Sequence, residues 1–446
     1  MKLQPLAVAS LIFVCGCGGS SGSNSDSAGA VDANVPSSCS VVEQNTFVND
    51  VMRDIYYWVD EMPDADPAAF ESPEELLEFL RFEELDRFSA IADEAEEDAF
   101  FSNSQFIGVG IGTLLVGDDQ LRITQTFSDG PARAAGLDRG FFITEINGQT
   151  IPEVLDNGGV SAAFGPDTVG TPVDLRYTDL VGNDVEITIF KDVVTIDTVS
   201  ASAVFDVAGK QTGYLNFRNF VEPSFAALAD VFADLSGQGV QELVLDLRYN
   251  GGGLISVANY LSGLLGGQLT AGDIFARRVH NTQNVDRNID TFFQDEPDAL
   301  DLSRIVVITS ASTASASEMI INGLDPFLDV WLVGDDTFGK PVGSYGFSFC
   351  GSVLRPTSFA NENAVGNTDY FAGFGVDCPA ADELDRALGD PLEASLAEAL
   401  HVIENDSCSA AAAAGKSTPR VPVEAMRSGD NHNNRRATYR LRGNLH

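Results

Sequence analysis

The sequence predicts a multidomain α+β protein with three folded regions. Its 446 residues exceed what one hydrophobic core usually takes up. Apolar residues recur at helical spacing through residues 41–101, which predicts a helical N-terminal domain, and then with a period of two through residues 102–195, which predicts a β domain. Strand and helix patterns alternate through residues 196–408, as expected for a layered α/β core.

Acidic side chains dominate the charge of this protein. Asp and Glu number 66 against 26 Lys and Arg, for a formal net charge of −40. A protein with this charge should repel nucleic acids and anionic lipid surfaces, so we predict no nucleic-acid partner. The simplest interpretation of the charge is a well-solvated surface. Hydrophobic residues make up 44% of the chain, which is enough to fill sizeable cores.

The N-terminus has the pattern of an export signal. Lys2 precedes an apolar run, residues 6–14, that is too short to span a membrane as a mature helix. Small residues end the run just before Cys17, and this arrangement resembles a bacterial lipobox, in which the cysteine becomes the lipidated first residue. We therefore expect residues 1–17 to be a lipoprotein signal peptide and Cys17 to carry the lipid.

Two alternatives remain at this end of the chain. Cys15 is a poorer lipidation candidate because the bulky Val14 precedes it, and an ordinary signal peptide could be cut nearby. Gly18 rather than Asp follows Cys17, which by the same resemblance points to the outer membrane. The expected location is therefore the periplasm, with a lipid anchor to the cell envelope.

Two segments lack the apolar residues that a packed core needs. Residues 18–40 are rich in Ser, Gly, Ala and Asn, and we expect a flexible linker from the membrane. Residues 409–446 are Ala-rich, then polar and basic, and we expect a disordered tail.

Four cysteines remain after the export signal: Cys39, Cys350, Cys378 and Cys408. An even number in an exported protein suggests disulfides, and three connectivities are possible. The pairing to test first is Cys350–Cys378 with Cys39–Cys408. We predict no metal site, because no C-x-x-C spacing exists and the four histidines are scattered.

The β domain carries a characteristic series of turns. Glycine occupies every second position from residue 108 to residue 112. An Asp-Gly-Pro-Ala turn opens a short helix at residue 131, and an Asn-Gly turn follows at residues 147–148. This order resembles a PDZ domain of the bacterial protease type, which holds the C-terminal carboxylate of a peptide on loop amides. By this resemblance Gly108, Val109 and Gly110 form that loop, although such glycines more commonly mark a simple turn.

The third region contains two buried strands that each lead into a distinctive loop. Residues 242–247 (ELVLDL) lead into the glycine-rich loop 248–253 (RYNGGG), and residues 305–309 lead into a cluster of small hydroxyl residues. A helical run, a strand and a Gly-Lys pair follow, so that Ser315 and Lys340 stand 25 positions apart. That layout can bring a hydroxyl and an amine to the same edge of a sheet.

A serine beside a lysine is a known form of nucleophile and base. Lys340 can take the proton of Ser315 only if burial lowers its pKa; otherwise it is a solvated turn residue. Ser315 and Glu318 also fit the S-x-x-E capping box, so they could simply start a helix. Amides at that helix start, together with residues 251–253, could stabilise an oxyanion. The glycine loop fits neither the P-loop nor the dinucleotide pattern.

Taken together, the segments TASASE, TFGK and LDLRYNGGG, with the PDZ-like module upstream, resemble the tail-specific or C-terminal processing peptidases of the S41 class. The resemblance covers roughly residues 45–400. It implies a ClpP/crotonase-like peptidase core, with Ser315 as the nucleophile and Lys340 as the general base. The backbone amides of Gly252 and Ala316 are the implied oxyanion donors.

The residue that orients the lysine is less clear from this resemblance. The family often has a Gln four residues after the lysine, and this chain has Ser344 there. Ser344 and Glu318 are therefore the candidates for orienting Lys340.

The expected function is that of a serine endopeptidase with a Ser–Lys dyad, which cleaves proteins near their C-termini in the cell envelope without a cofactor. Its expected partners are protein or peptide substrates, and the sequence does not specify an oligomeric state. The alternative is a non-catalytic PDZ-containing lipoprotein that binds peptides. A Ser-His-Asp hydrolase using His280 or His401 ranks third, because the chain has no G-x-S-x-G segment.

Overall fold

The computed structural model describes residues 35–117 and 120–415. Several sequence predictions therefore lie outside the described residues: the signal peptide 1–17, the lipidation of Cys17, the linker up to residue 34 and the tail beyond residue 415. The predicted disordered tail 409–446 is wrong at its start, because Ala410–Gly415 form a helix, as expected for an alanine-rich run. No helix within the described ranges combines the length and the apolar character that crossing a bilayer requires.

The N-terminal helices pack onto a part of the chain that is distant in sequence. They are α1 (Val41–Ile55), α2 (Pro73–Leu80) and α3 (Glu94–Asn103), and strand β1 (Ala90–Asp93) precedes α3. Ser72 caps α2 by accepting the N–H of Glu75 at 3.2 Å, as the Ser-Pro-Glu-Glu pattern predicts. The apolar faces of α1 and α2 share one core with four residues of the third region: Tyr345, Phe349, Leu354 and Phe359.

The second region, here called the β-module (residues 105–195), has its own core. Its strands are β2 (Gln105–Gly108), β3 (Ile111–Val116), β4 (Gln120–Thr126), β5 (Phe142–Ile146), β6 (Gln149–Thr150), β7 (Pro172–Thr178), β8 (Asp184–Phe190) and β9 (Asp192–Thr195). Its short helices are α4 (Pro131–Ala134), α5 (Ile151–Asp156) and α6 (Val160–Ala163). The main sheet has the order β3-β4-β5-β7-β8, with β6 on β5, and β2 pairs with β9 at the junction to the third region.

The third region contains three sheets. Its strands are β10 (Val199–Val207), β11 (Lys210–Phe217), β12 (Glu242–Asp246), β13 (Ile274–His280), β14 (Ile289–Phe292), β15 (Arg304–Thr309), β16 (Asp329–Gly334), β17 (Val342–Ser344), β18 (Phe347–Phe349), β19 (Ser352–Arg355), β20 (Thr357–Glu362) and β21 (Cys378–Pro379). Its helices are α7 (Ser224–Gly237), α8 (Ile255–Gly266), α9 (Ala316–Leu324), α10 (Ala394–Asn405) and α11 (Ala410–Gly415).

The largest sheet forms the centre of a three-layer arrangement. Its strand order is β10-β11-β12-β15-β16-β21, and the strands from β11 onward are parallel. Helices α7, α8 and α9 pack on one face through the largest apolar cluster, and α10 packs on the other face. Because parallel strands place their carboxyl ends at one edge, the loops after β12, β15 and β16 meet there.

Two smaller sheets adjoin this edge. One is antiparallel with the order β14-β13-β20-β17, and the other joins β1 of the N-terminal region to the β18–β19 hairpin. The strand pairing of β1 with β19 fixes the N-terminal region against the loops at the sheet edge.

The predicted disulfide pairing is wrong. The structure pairs Cys39 with Cys350 and Cys378 with Cys408, instead of Cys350 with Cys378 and Cys39 with Cys408. Cys350 sits at the tip of the β18–β19 hairpin, which packs on α1 near Cys39, whereas Cys378 lies on β21 at the edge of the largest sheet. Spacing along the chain could not show that contact, because it depends on how the N-terminal helices dock.

We expect non-reducing peptide mapping to recover Cys39–Cys350 and Cys378–Cys408. Replacing the first pair by serine should lower the free energy of unfolding by about 2–4 kcal/mol, because it releases a loop far longer than that of the second pair. Denaturant unfolding of the two double-serine variants checks this order. Recovery of a Cys350–Cys378 peptide would contradict the pairing.

Candidate active site

Ser315 occupies a strained turn between a buried strand and a helix. β15 ends at Thr309, and Ser315 is the N-cap of α9 with φ 57° and ψ −115°. A residue with a side chain rarely adopts positive φ, and such strain concentrates at functional sites. The turn places the hydroxyl at the edge where the parallel strands end.

A single buried carboxylate connects this turn to the segment that carries Lys340. Glu318 is fully buried, and its Oε2 accepts the backbone N–H groups of Ser315 at 3.0 Å and Lys340 at 2.8 Å. Its Oε1 accepts the N–H of Gly339 and the hydroxyl of Thr337, both at 2.6 Å. Burial raises the pKa of Glu318, and these four donors oppose that rise. Glu318 therefore joins the turn of Ser315 to the turn of Lys340.

Lys340 is buried and suited to lose its proton. The residue is only 7% exposed, and its Nζ lies 5.7 Å from the centre of the Phe88 ring. The pKa of Lys340 is lowered to about 8, mainly by burial and then by the charge of Arg355, while Asp86 and Glu318 oppose the shift. A substantial neutral fraction near pH 8 is what a lysine base requires.

The N-terminal region clamps the lysine turn from outside. Arg87 donates to the carbonyl oxygens of Phe338, Gly339 and Phe371 at 3.0–3.1 Å, and its guanidinium lies 4.7 Å from the Phe338 ring centre. Gly339 has φ +91°, and a Cβ there would lie 2.3 Å from the carbonyl oxygen of Phe371. Sequence reasoning missed the role of Arg87, since a polar segment at the end of a helical region carries no distinguishing pattern.

The glycine-rich loop reaches the nucleophile because Gly252 has no side chain. A Cβ on Gly252 would lie 2.7 Å from the amide nitrogen of Ala316 and 2.8 Å from Cβ of Ser315. Ala316 is the first residue of α9, where an N–H has no partner within the helix. The N–H of Gly252 donates to Oδ1 of Asn250 at 2.9 Å. The structure thus brings both predicted oxyanion donors to Ser315, with the Gly252 amide held by Asn250.

A buried ionic network links the same loop to the β-module. Arg139 of the β-module donates to the hydroxyl of Tyr249 at 2.9 Å and to Asp382 at 2.7 Å. Arg248, 1% exposed, pairs with Asp246 and Glu393. The pKa of Tyr249 is raised, mainly by burial, so its phenol stays neutral. Tyr249 directly precedes Asn250, so the β-module contacts the oxyanion loop through one hydrogen bond.

The residues of the predicted peptide loop are not among those that line the cleft around Ser315 and Lys340. Gly108 ends β2, and the carbonyl oxygen of the fully buried Val109 accepts the N–H of Ala132 at 2.8 Å. Gly110 has φ +85°, and a Cβ there would lie 2.8 Å from Cα of Gly130. These three residues hold the β-module together internally.

One cleft of about 540 Å³ contains the site. Ser315 and Lys340 line it, and α2, β1 and α3 supply the opposite wall. Ser344 also lines the cleft, and its buried hydroxyl has no hydrogen-bond partner among the described residues. Neither His280 nor His401 is among the lining residues in the described chain, which disfavours a histidine base.

One group of possible metal ligands occurs elsewhere. Cys378, Glu398 and Cys408 place ligand atoms within 4.8 Å of one another. Both sulfurs are bonded to each other in the disulfide, so they are not thiolate ligands.

Comparison with known proteins agrees with this site. Residues 211–366 match the family model described as peptidase family S41, and residues 43–90 match the model of the peptidase S41 N-terminal domain. Over these residues the chain is similar to S41 peptidases. The matches take in Ser315, Lys340 and the segment around Arg87, and they support the resemblance seen in the sequence. Residues 91–210 fall outside both matches, so the PDZ-like character of the β-module stays a prediction.

Curated relatives include a carboxy-terminal-processing protease of Bartonella bacilliformis, 28% identical over 254 residues, which are 56% of this chain and 55% of the relative. Another is the carboxy-terminal processing protease CtpA of Bacillus subtilis, 24% identical over 57% of this chain and 52% of the relative. The S41-like chain thus spans about half the length of the curated relatives that it matches.

Solved structures extend the similarity to nearly the whole described fold. A Bacteroides fragilis protein assigned to the S41 proteases has a TM-score of 0.65 at 25% identity, covering 81% of this chain and 97% of that one. The photosystem II D1 C-terminal processing protease has a TM-score of 0.51 at 20% identity, with 83% and 99% coverage, and shows a shared fold.

We expect Glu318→Gln to lower the free energy of unfolding by about 1–3 kcal/mol, because buried N–H donors lose a carboxylate acceptor. The matched control is Glu75→Gln, where an exposed carboxylate accepts the N–H of Glu71 at 2.8 Å. That change should cost much less, because water replaces the lost bond. Urea unfolding compares the two, and equal costs would show that Glu318 does not hold the turns together.

Proposed function

We propose that the protein is a serine endopeptidase that uses Ser315 as nucleophile and Lys340 as general base. The observation that carries this proposal is the pair of hydrogen bonds that Glu318 accepts from the N–H groups of Ser315 and Lys340. They hold a strained serine and a buried lysine in one cleft. The S41 family matches and the relatives named as C-terminal processing proteases support proteins as the substrates.

The reaction follows the order of an acyl-enzyme mechanism. Neutral Lys340 takes the proton of the Ser315 hydroxyl as its Oγ attacks the peptide carbonyl. The lysine then gives this proton to the leaving amine as the C–N bond breaks. A water molecule, deprotonated by the same lysine, attacks the acyl-enzyme. As the bond between the acyl carbon and Oγ breaks, the lysine returns the proton to Oγ of Ser315 and the new carboxyl end is released. No cofactor is required in any of these steps.

Backbone amides stabilise the oxyanion in this mechanism. The N–H of Ala316 points from the start of α9, where the helix dipole also favours negative charge. The N–H of Gly252 joins it by releasing Oδ1 of Asn250, so substrate must displace a hydrogen bond of 2.9 Å. Formation of the oxyanion hole is then coupled to a small movement of the glycine-rich loop.

Ser344 takes the place of the glutamine in orienting the lysine. Its buried hydroxyl lies in the cleft without a partner among the described residues, four positions after Lys340 on β17. A hydroxyl can accept a hydrogen bond from an ammonium and donate one to a neutral amine. Glu318 positions the backbone of Lys340, while Ser344 would position its Nζ.

The β-module acts in this proposal as a PDZ-like domain that receives the C-terminal end of the substrate. Its link to the site is the bond from Arg139 to Tyr249, beside the residue that holds the Gly252 amide. Peptide binding on the β-module can therefore change the state of the oxyanion loop. Cleavage near C-termini follows from this arrangement.

The location proposed is the periplasm, with Cys17 lipidated and anchored to the outer membrane. The two disulfides support an oxidising compartment. The cysteines of both pairs lie in the described part of the chain. Disulfide-bonded cysteines are typical of exported proteins.

The Gly252–Asn250 bond also favours a second candidate function. An oxyanion loop whose amide is already occupied is what a peptide-binding lipoprotein without turnover would keep. In that case the β-module would bind C-terminal peptides while the cleft stays inactive.

We expect Ser315→Ala and Lys340→Ala to abolish cleavage of unstructured proteins, since each removes one partner of the dyad. The controls are Ser312→Ala, an exposed serine three residues away, and Lys210→Ala, a lysine paired with Glu242 at 2.7 Å. Both controls should retain activity. Cleavage by both dyad variants would refute the dyad, and an inactive parent protein that binds peptides would favour the second candidate.

We expect kcat to rise about tenfold between pH 7 and pH 9, because only neutral Lys340 accepts the proton and its pKa is about 8. The profile should fall toward acid and level off above the pKa. Arg355→Gln should move its midpoint upward, because the positive charge of Arg355 now lowers the pKa of Lys340. A pH-independent kcat, or a downward shift in that variant, would contradict this assignment.

A further inference from the structure

A buried arginine near the oxyanion loop has no counter-charge. Arg218 follows β11 at the edge where the parallel strands end, and it is only 6% exposed. Burial lowers the pKa of Arg218 to about 10, so its guanidinium is still charged at neutral pH. No Asp or Glu among the described residues forms an ion pair with it. Because an isolated buried charge is costly, this guanidinium calls for a partner.

One side of the guanidinium is used and the other is free. Nη1 donates to the carbonyl oxygen of Tyr249, and the backbone N–H of Arg218 donates to the carbonyl oxygen of Thr198 at 2.7 Å. Nε is shielded from solvent and makes no hydrogen bond among the described residues, and Nη2 makes none there either. The N–H groups of Nε and Nη2 point in the same direction, so this edge can hold an acceptor through two hydrogen bonds.

Neighbouring carboxylates are already committed to two other arginines. Asp382 accepts from Arg139 at 2.7 Å and from Arg248 at 3.0 Å. Arg248 also pairs with Asp246 and Glu393, at 2.7 and 2.8 Å. Within the described chain, these two arginines therefore have counter-charges and the third has none, so its counter-charge has to come from solution.

We propose that the Nε and Nη2 edge of Arg218 binds a small inorganic anion of the chloride type. The site is almost closed to solvent, which favours a small ion over a larger ligand. The net charge of −40 repels anions at long range, so local donors and the guanidinium charge must hold the ion. Arg218 is not among the residues that line the cleft of Ser315, so the site is separate and does not rest on the peptidase proposal.

The ion acts on the backbone that carries the oxyanion loop. Tyr249 has φ 62°, which a bulky residue adopts only when surrounding contacts hold it. Arg218 holds its carbonyl oxygen and Arg139 holds its hydroxyl. The next residue, Asn250, accepts the N–H of Gly252. An anion that neutralises the guanidinium keeps it at that carbonyl, so the strained peptide unit is more stable with the ion than without it.

The test is thermal unfolding of the disulfide-bonded protein in sodium chloride and in sodium gluconate, at one constant ionic strength. Gluconate is too large for the site and serves as the reference anion. We expect chloride to raise the Tm of the parent protein by about 2–4 °C, the shift that a ligand at several times its Kd gives in a domain of this size. Nitrate, which is also small and singly charged, should act like chloride.

Arg218→Met should unfold at the same temperature in both salts, because the charge and the donors are gone. Arg218→Lys keeps a charge but lacks two parallel donors, so it should need several times more chloride for the same shift. The matched control is Arg304→Met: the Arg304 side chain is also largely buried, but it pairs with Glu242 at 2.8 Å. That variant should keep the chloride shift of the parent even where its Tm is lower in both salts.

Broadening of the chloride NMR signal measures binding directly. The parent and Arg304→Met should broaden the signal, nitrate should reverse this by competition, and Arg218→Met should not broaden it. Equal Tm values for the parent in chloride and gluconate would overturn the site, and so would a chloride shift that persists in Arg218→Met. Where Arg218→Met does not fold, Arg218→Lys decides, because a chloride dependence equal to that of the parent would also refute the proposal.

Discussion

The site depends on one buried carboxylate that has four hydrogen-bond donors around it. Glu318 joins the start of α9 to the turn after β16, and so fixes Ser315 and Lys340 although 25 residues separate them. Both turns lie outside the regular elements, and one backbone hydrogen bond, from the N–H of Phe338 to the carbonyl oxygen of Thr313 at 2.9 Å, joins them as well. A charge buried this deeply is tolerated only with full hydrogen bonding, which makes the arrangement rigid once formed. The strained φ of Ser315 persists because Glu318 over-determines it.

The environment of Lys340 comes from a distant part of the chain. Phe88 and Arg87 belong to the N-terminal region, yet they cover Nζ and clamp the turn of Lys340. Asp86 organises that segment by accepting from Tyr56, Ser89 and Thr357, which ties α1 to β20. The low dielectric that lowers the pKa of Lys340 therefore exists only when the N-terminal helices are docked. Without them, Lys340 would be exposed to water.

Much of this could be predicted from local pattern. Spacing and the family resemblance predicted the capped helix α2, the buried strands β12 and β15, and the presence of Ser315 and Lys340 at one site, and both residues line one cleft. Glu318 was predicted only in outline, because a capping box looks the same whether or not its carboxylate also reaches another turn. The sequence could not predict the disulfide pairing, the contacts of Arg87 or the Arg139–Tyr249 hydrogen bond. Each of these joins segments that are distant in sequence and meet only when the regions dock.

The disulfide between Cys39 and Cys350 has a consequence for a proposed peptidase, whose own surface loops could be cut by another copy of the enzyme. It closes a covalent ring that contains the N-terminal helices, the β-module, the nucleophile and the base. A single break in any surface loop inside that ring turns it into an open chain but releases no fragment. The parts that make up the cleft stay covalently attached to one another, and only a second break could set a piece free.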